Sequence, residues 1–285
     1  MDYPAIHDAA SKSSDAAQRK FLMFIRVEFG TLAAVSAGYL LLPNVASAHT
    51  ALAVLVVFSA AIFWYRSLKK PDEDWYQFRA LAESAKTLAW RYAMRAQPFH
   101  KEDAMARATL RNKLKELLAV NASLGARLEP HAAEQAQVTP EMEQLRASPV
   151  ADRANIYIKN RIDDQRRWYA LKAVANKKSG RTWSVIVTML YGAIAVILLS
   201  RISYPELSLL SPDPLLVICS SLIGWIQVKK FNELAAAYFL TAQEIGIVAI
   251  SAVEAVDEKS LSDFVNGAEL VFSREHTQWV ARRRT

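Results

Sequence analysis

Residues 182–200 read TWSVIVTMLYGAIAVILLS and lie between Arg181 and Arg201 without a single charged side chain. As a helix rising about 1.5 Å per residue, this stretch is about 28 Å long, which matches the hydrocarbon core of a bilayer. A longer uncharged window, residues 29–65, lies near the N-terminus and contains the turn dipeptide Pro43-Asn44. Because this window is too long for one span, it predicts two helices joined at the turn.

Four membrane-spanning helices in two hairpins are therefore predicted. We expect them at residues 22–42, 50–65, 182–200 and 210–228. The alternative is a soluble all-α protein with two buried helical hairpins. Aromatic residues near the predicted span ends count against that alternative, because Trp and Tyr are enriched where a membrane meets water. These aromatics are Trp64, Tyr65, Trp183, Tyr204 and Trp225.

Lysine and arginine are concentrated at one end of the predicted spans. Lys69 and Lys70 follow the second span, Lys177 and Lys178 precede the third, and Lys229 follows the fourth. The short loops at the opposite ends are poor in positive charge. The positive-inside rule then predicts that both termini and the central region are cytoplasmic.

The overall composition excludes several classes of protein. The chain has 285 residues, 52% of them apolar and 22% charged, with a net charge of +7, so it is too hydrophobic for a disordered protein. A single cysteine excludes an internal disulfide framework and a multi-cysteine metal site. The five histidines show no metal-ligand spacing, and no nucleophile–base set stands out. We therefore predict a protein that is not an enzyme, with no catalytic residues, metal or cofactor.

The order of the segments indicates a weak tandem repeat. Each predicted hairpin is followed by a long polar helix, and no segment shows sustained strand alternation. The prediction is an all-α membrane protein with long cytoplasmic helices. Residues 1–100 form a first unit, residues 101–150 a cytoplasmic helix and linker, and residues 151–285 a second unit.

Two charged stripes carry the candidate ligand residues. Arg79, Glu83, Lys86 and Trp90 follow i, i+4, i+7, i+11 spacing, which places them on one helix face. The same spacing recurs further along the chain, at Arg161, Gln165, Trp168 and Lys172. One interpretation is solvated helix faces that also contact the inner leaflet. The other is a groove for an anionic ligand, with Trp stacking and Arg or Lys on phosphates. The candidate ligand-binding residues are Arg79, Lys86, Trp90, Arg161, Arg166, Arg167, Trp168 and Lys172.

Small residues in the first span suggest close helix packing. Gly30, Ala34 and Gly38 repeat every four residues, and such a face lets membrane helices approach each other. The general small-residue content of a membrane helix is the alternative explanation. The polar side chains of the predicted spans are mild and uncharged, and no carboxylate lies among them within the uncharged stretches. This disfavours an ion-coupled carrier, whereas a pore lined by hydroxyl and apolar groups stays a possible function.

Three longer motifs resemble a known family. Residues 79–94 read RALAESAKTLAWRYAM, residues 157–169 read YIKNRIDDQRRWY, and residues 275–279 read EHTQW. All three are similar to motifs of the SLATT family of two-transmembrane effector domains, and the resemblance suggests two tandem units. It implies a multi-pass protein of the bacterial inner membrane that acts in antiphage defence. It assigns no ligand roles to individual residues.

The resemblance also implies a mechanism. Such effectors are thought to form membrane pores under the control of a nucleotide or oligonucleotide made by a partner nucleotidyltransferase, causing depolarisation or growth arrest. Four spans cannot easily enclose a water-filled path, so we expect a homo-oligomer in the lipid bilayer, specifically a tetramer. The alternative is a non-conducting, membrane-anchored helical scaffold that binds a partner protein.

Overall fold

A computed structural model describes residues 1–125, 127–128, 135–204 and 211–281, with side chains for all of these except 253–254 and 274–281. All regular secondary structure within these ranges is helical, which confirms the predicted all-α class. The helices in chain order are α1 Ala5–Leu41, α2 Ala46–Lys69, α3 Pro71–Ala93, α4 Asp103–Val120, α5 Ala122–Gly125, α6 Pro140–Ala147, α7 Val150–Tyr157, a π-helix Ile158–Asp163, α8 Asp164–Ser203, α9 Asp213–Lys229, α10 Phe231–Val248, a 3-10 helix Ala249–Glu254 and α11 Glu258–Ala281.

Among the residues that the structure describes, four helical stretches are long and apolar enough to cross a membrane, which confirms the predicted number of spans. They are Ala5–Leu41, Ala46–Ala93, Val150–Ser203 and Asp213–Ala252. Within them the uncharged segments are residues 29–41, 50–65, 182–200 and 214–228, and we take these as the parts that lie in the hydrocarbon core. The predicted start of the fourth span at Leu210 lies outside the described residues, as do residues 129–134 at the start of the predicted linker.

Contacts divide the chain into two compact units. The polar unit comprises Met1–Gln18, Asp72–Leu171 and Tyr238–Thr285, and the membrane unit comprises Arg19–Pro71 and Lys172–Ala237. The membrane unit contains all four uncharged segments. Each unit therefore takes residues from both halves of the sequence.

The first hairpin of the membrane unit forms where the sequence predicts it. Helix α1 ends at Leu41 and α2 begins at Ala46, so Pro43-Asn44 lies in the turn. The two charges that bound the uncharged window also meet, because Arg66 Nη2 donates to Glu28 Oε2 at 3.1 Å. This ion pair joins α1 to α2 at the two charged residues that bound the uncharged window.

A single lysine joins each hairpin to the helix that follows it. Lys70 (φ 43°) separates α2 from α3, and Lys230 (φ 50°) separates α9 from α10. Both lysines adopt the left-handed backbone conformation. The backbone N–H of Lys70 donates to the carbonyl of Arg66, and that of Lys230 donates to the carbonyl of Ile226, both at 2.9 Å. The same joint at corresponding places supports the tandem repeat seen in the sequence.

The polar unit has a core built on the apolar face of α3. Its five residues recur at the 100° spacing of one helix face, and all five are buried. They are Phe78, Ala82, Ala85, Ala89 and Tyr92. Leu110 and Leu114 of α4 and Met142 of α6 belong to the same hydrophobic cluster.

Two buried arginines hold the segment that follows α3. Arg146 donates to the carbonyls of Tyr92 (2.8 Å) and Lys101 (3.0 Å) and to the carboxylate of Asp103 (2.9 Å). Arg153 donates to the carbonyl of Met94 at 2.9 Å. Buried backbone carbonyls need hydrogen-bond partners, and these guanidinium groups provide them outside regular secondary structure.

Candidate ligand-binding cavity

A cavity of about 320 Å³ lies within the polar unit. Its walls come from the start of α1, the first half of α3 and the start of α8. The lining residues are His7, Ser11, Ser14, Asp15, Gln18, Trp75, Arg79, Ala82, Glu83, Lys86, Gln165, Trp168 and Tyr169. Three of the eight predicted ligand residues, namely Arg79, Lys86 and Trp168, therefore meet at one site.

Arg79 and Lys86 supply the positive charge of the cavity. The Arg79 guanidinium carbon lies 5.9 Å from the centre of the Trp168 ring, and Lys86 Nζ lies 5.5 Å from the centre of the Tyr3 ring. Burial lowers the pKa of the Lys86 ammonium, and the nearby Glu83 carboxylate opposes this shift. A partly desolvated ammonium binds an incoming anion more strongly than a fully hydrated one.

The aromatic wall is held in place by neighbouring rings. Trp168 packs edge-on against Tyr169 at a centroid distance of 4.9 Å and against Tyr238 at 5.6 Å. Tyr169 belongs to α8 and Tyr238 to α10, so two residues from two helices fix this indole. Trp168 is half-buried, which leaves part of its surface in the cavity for an aromatic or apolar group.

Polar groups of α1 line the cavity together with two carboxylates. His7, Ser11, Ser14 and Gln18 follow i, i+4, i+7, i+11 spacing, the same as the two charged stripes. Burial lowers the pKa of the His7 imidazole, which favours its neutral form at pH 7. The hydroxyl and amide groups, with the carboxylates of Asp15 and Glu83, can hydrogen-bond to the hydroxyls of a ligand.

Trp90 does not line the cavity. Its side chain is buried, its Nε1 donates to the Tyr3 hydroxyl at 3.1 Å, and its ring packs edge-on against Tyr157 at 5.5 Å. Trp90 shares a helix face with Arg79, Glu83 and Lys86, but it lies deeper along α3, where the core closes over it. A stacking role for Trp90 would require opening this core, so we leave it out of the proposed ligand set.

The Arg161 side chain is also buried, and it forms an ion pair with a carboxylate. Its Nε and Nη2 both donate to Glu269 at 2.8 Å, so the pair is bidentate, and both side chains are at most 1% exposed. Glu269 also accepts from the hydroxyls of Tyr157 (3.0 Å) and Thr87 (2.7 Å). Arg161 belongs to the π-helix Ile158–Asp163, which needs an extra residue per turn, so the α-helical spacing from Arg161 to Gln165 does not hold.

The remaining predicted ligand residues lie elsewhere. Arg166 and Arg167 are exposed, and neither is among the residues that line the cavity. The Arg166 guanidinium packs beside Gly246, where an added Cβ would lie 3.3 Å from its Cζ. Lys172 belongs to the membrane unit.

Sequence reasoning missed the α1 stripe and Glu269. The α1 stripe could have been predicted from the sequence, because its residue spacing is the same as that of the two charged stripes. Glu269 could not have been, since its partner Arg161 lies 108 residues away in the chain. Among the residues whose side chains are described, no group of three or more His, Cys, Asp and Glu could hold a metal ion.

The small residues of the first span behave differently from one another. A Cβ on Gly38 would lie 2.7 Å from Leu52 Cδ2 in α2, whereas a Cβ on Gly30 would meet nothing within 4 Å. Ala34 is exposed in the single chain. Gly38 therefore permits packing within the hairpin, while Gly30 and Ala34 are available to contact another copy.

Replacing Gly38 by leucine should destabilise the hairpin by about 1–3 kcal/mol, because the larger side chain overlaps Leu52. Gly30→Leu is the matched control and should leave the stability of the isolated chain unchanged. Thermal unfolding in mild detergent measures the first effect, and native mass spectrometry measures assembly for both variants. Equal stability of the two variants would contradict this assignment.

Family comparison agrees with the repeat seen in the structure. Residues 4–154 match the family model described as SMODS and SLOG-associating 2TM effector domain 3. Residues 157–279 match the model of SMODS and SLOG-associating 2TM effector domain 1. The chain belongs to the SLATT family. It carries two SLATT domains in tandem, as the motifs at residues 79–94 and 157–169 predict. Neither a curated protein nor a solved structure matches the chain.

Both SLATT domains contribute to the cavity. Arg79 and Lys86 belong to the first domain, and Gln165 and Trp168 belong to the second. The buried carboxylate also joins them, because Glu269 of the second SLATT domain accepts from Thr87 of the first. The third motif, residues 275–279, falls inside the second match, but its side chains lie outside those described.

Proposed function

We propose that this tandem SLATT protein is a pore-forming membrane effector of bacterial defence, controlled by an anionic nucleotide that binds in the cavity of the polar unit. Two matched two-transmembrane effector domains and four membrane-spanning stretches support the membrane part of this proposal. The cavity supports the ligand part. Its clustering of Arg79, Lys86 and Trp168 is the observation that carries the proposal.

The cavity has the groups that a nucleotide requires. Arg79 and Lys86 can bind phosphate oxygens, Trp168 can pack against a base, and Glu83 and Asp15 can accept from ribose hydroxyls. The volume of about 320 Å³ is at the small end of the range for ligand sites. It suits one nucleotide, or one unit of a short oligonucleotide whose remainder extends past the rim.

A helix of the cavity also continues into a span. Gln165 and Trp168 belong to α8, which includes the third uncharged segment. A ligand shifts an open–closed equilibrium only by its difference in affinity for the two states, and a tenfold difference corresponds to about 1.4 kcal/mol. Binding against Trp168 therefore has a covalent route to the membrane through α8.

Several copies would build the conducting path. The four uncharged segments of one chain offer no charged side chain that could line a hydrated route, so we propose a homo-oligomer, specifically a tetramer. The lysine-rich span ends support cytoplasmic termini in the bacterial inner membrane. The cavity ligand would then come from the cytoplasm, made by a partner nucleotidyltransferase.

Planar-bilayer recording of the purified full chain tests the proposal. We expect ionic conductance that changes when mononucleotides, cyclic mononucleotides or short oligonucleotides are added to one side. Nucleosides without phosphate should have no effect, because they lack the charge that Arg79 and Lys86 recognise. Absence of conductance with every nucleotide, under conditions in which the protein is inserted, would favour the non-conducting scaffold instead.

A further inference from the structure

Several basic residues at the ends of the spans have partners inside the membrane unit. Arg66 pairs with Glu28 at 3.1 Å, and Lys230 pairs with Glu233 at 3.4 Å. Lys20 Nζ lies 3.4 Å from the hydroxyl of Tyr65. These contacts neutralise or anchor the cations within the protein.

Arg26 and Lys229 are arranged differently. The Arg26 guanidinium carbon lies 5.1 Å from the centre of the Trp225 ring, and Lys229 Nζ lies 5.7 Å from the same ring. The electrostatic neighbours that act on Lys229 are Arg26 and Lys172, and both are positive. In the part of the chain that the structure describes, no carboxylate forms an ion pair with Arg26 or Lys229.

The backbone brings these two cations together. Arg26 belongs to α1, whereas Trp225 and Lys229 belong to α9. The two helices approach closely beside Trp225, because a Cβ on Gly224 would lie only 2.8 Å from Phe29 Cζ. The cluster of Arg26, Trp225 and Lys229, which we call the indole cluster, is therefore set by tight helix packing.

The position of the indole cluster along the spans indicates which layer of the bilayer surrounds it. Arg26 lies three residues before the uncharged window 29–65, and Lys229 directly follows the fourth span. This is the level at which the hydrocarbon core meets the headgroups. Like charges that share one indole repel each other, and the repulsion is strong where the dielectric constant is low. An anion from the surroundings would relieve it.

Phosphate is the anionic group found at this depth in every phospholipid bilayer. The geometry points to the indole cluster as a binding site for the phosphate of an anionic phospholipid, held between Arg26 of α1 and Lys229 of α9. Lys172 adds positive charge next to the site. The exposed apolar surface of the spans would accommodate the acyl chains, whereas a free phosphate ion would gain nothing from it.

Lipid titration of the purified full chain by native mass spectrometry tests this site. The probes are phosphatidylglycerol, phosphatidylcholine and soluble glycerol phosphate, each added to the protein in mild detergent. The variants are Arg26→Gln with Lys229→Gln, and a matched control, Lys177→Gln with Lys178→Gln. The control removes the same charge from exposed lysines of the membrane unit. A third variant, Arg26→Lys with Lys229→Arg, keeps both charges.

We expect the wild-type protein to prefer phosphatidylglycerol over phosphatidylcholine. Removing each cation of the indole cluster should weaken that preference about five-fold, since one basic residue near an anionic surface contributes about 1 kcal/mol. The control pair and the charge-keeping pair should stay within about two-fold of wild type. Single changes at Arg26 and Lys229 provide the measurement if the double variant fails to fold.

Two results would overturn the site. Equal losses for the indole-cluster pair and the Lys177 and Lys178 pair would show general charge attraction without a defined site. Binding of glycerol phosphate as tight as that of phosphatidylglycerol would show that the cluster takes a soluble phosphate and not a lipid.

Discussion

Replacing Glu269 by leucine should destabilise the protein by about 3–5 kcal/mol, the largest effect we expect from any single change. The reason is that Arg161 would stay buried without its carboxylate, and a buried unpaired charge is strongly unfavourable. The hydroxyls of Tyr157 and Thr87 would lose their acceptor at the same time. Thermal and denaturant unfolding of the polar-unit helices in mild detergent measures the loss.

A second substitution shows whether the unpaired charge is the cause. The double variant Arg161→Met with Glu269→Leu should recover most of the stability, because both charges are then gone. The exposed pair Lys113–Glu116 gives the control, and Glu116→Gln should change the free energy of unfolding by less than about 1 kcal/mol. A double variant no more stable than Glu269→Leu would assign the effect to packing.

Changing Arg79 and Lys86 together to glutamine should weaken nucleotide binding by at least about 100-fold. Each charged hydrogen bond to phosphate contributes roughly 1.5–3 kcal/mol, and this variant removes both of them. The wild-type affinity should fall as salt rises, and the variant should show a smaller dependence on salt. Isothermal titration of the full chain in detergent, at two salt concentrations, measures both quantities.

The matched control is Arg111→Gln with Lys115→Gln, which removes two exposed cations from α4 of the same unit. It should bind the nucleotide as the wild-type protein does. If both double variants lost the same nucleotide affinity, the attraction would come from the net charge of the protein. The cavity would then not be the nucleotide-binding site. Arg166→Ala with Arg167→Ala then tests a different point, namely whether a longer oligonucleotide extends to the exposed arginines.

The membrane part of the fold was predictable because lipid imposes simple rules. An uncharged stretch such as 182–200 has few alternatives to a spanning helix, and Pro43 cannot continue one. The packing face of α3 was predictable for a similar reason, since apolar residues at helical spacing must be buried somewhere. In each case the information is local, within one or two helices.

The candidate site was only partly predictable, because helical spacing gives the face of a side chain and not its depth. Lys86 and Trp90 lie on the same face of α3, yet one lines the cavity and the other is enclosed by the core. How deeply a side chain is buried depends on which residues pack over its turn of the helix. Over Trp90 these residues are Tyr3 and Tyr157, which come from distant parts of the chain. No spacing rule contains that information.

The π-helix at Ile158–Asp163 has a consequence for tracing the history of the repeat. A π-turn arises when one extra residue is accommodated in an otherwise regular helix, so the chain here is one residue longer than its rise requires. A relative that keeps a uniform α-helix at this place would align only with a single-residue gap. The two family matches meet directly before it, between residues 154 and 157. The π-helix therefore begins one residue after the start of the second SLATT match, and the expected gap would distinguish relatives that have the extra residue from relatives that lack it.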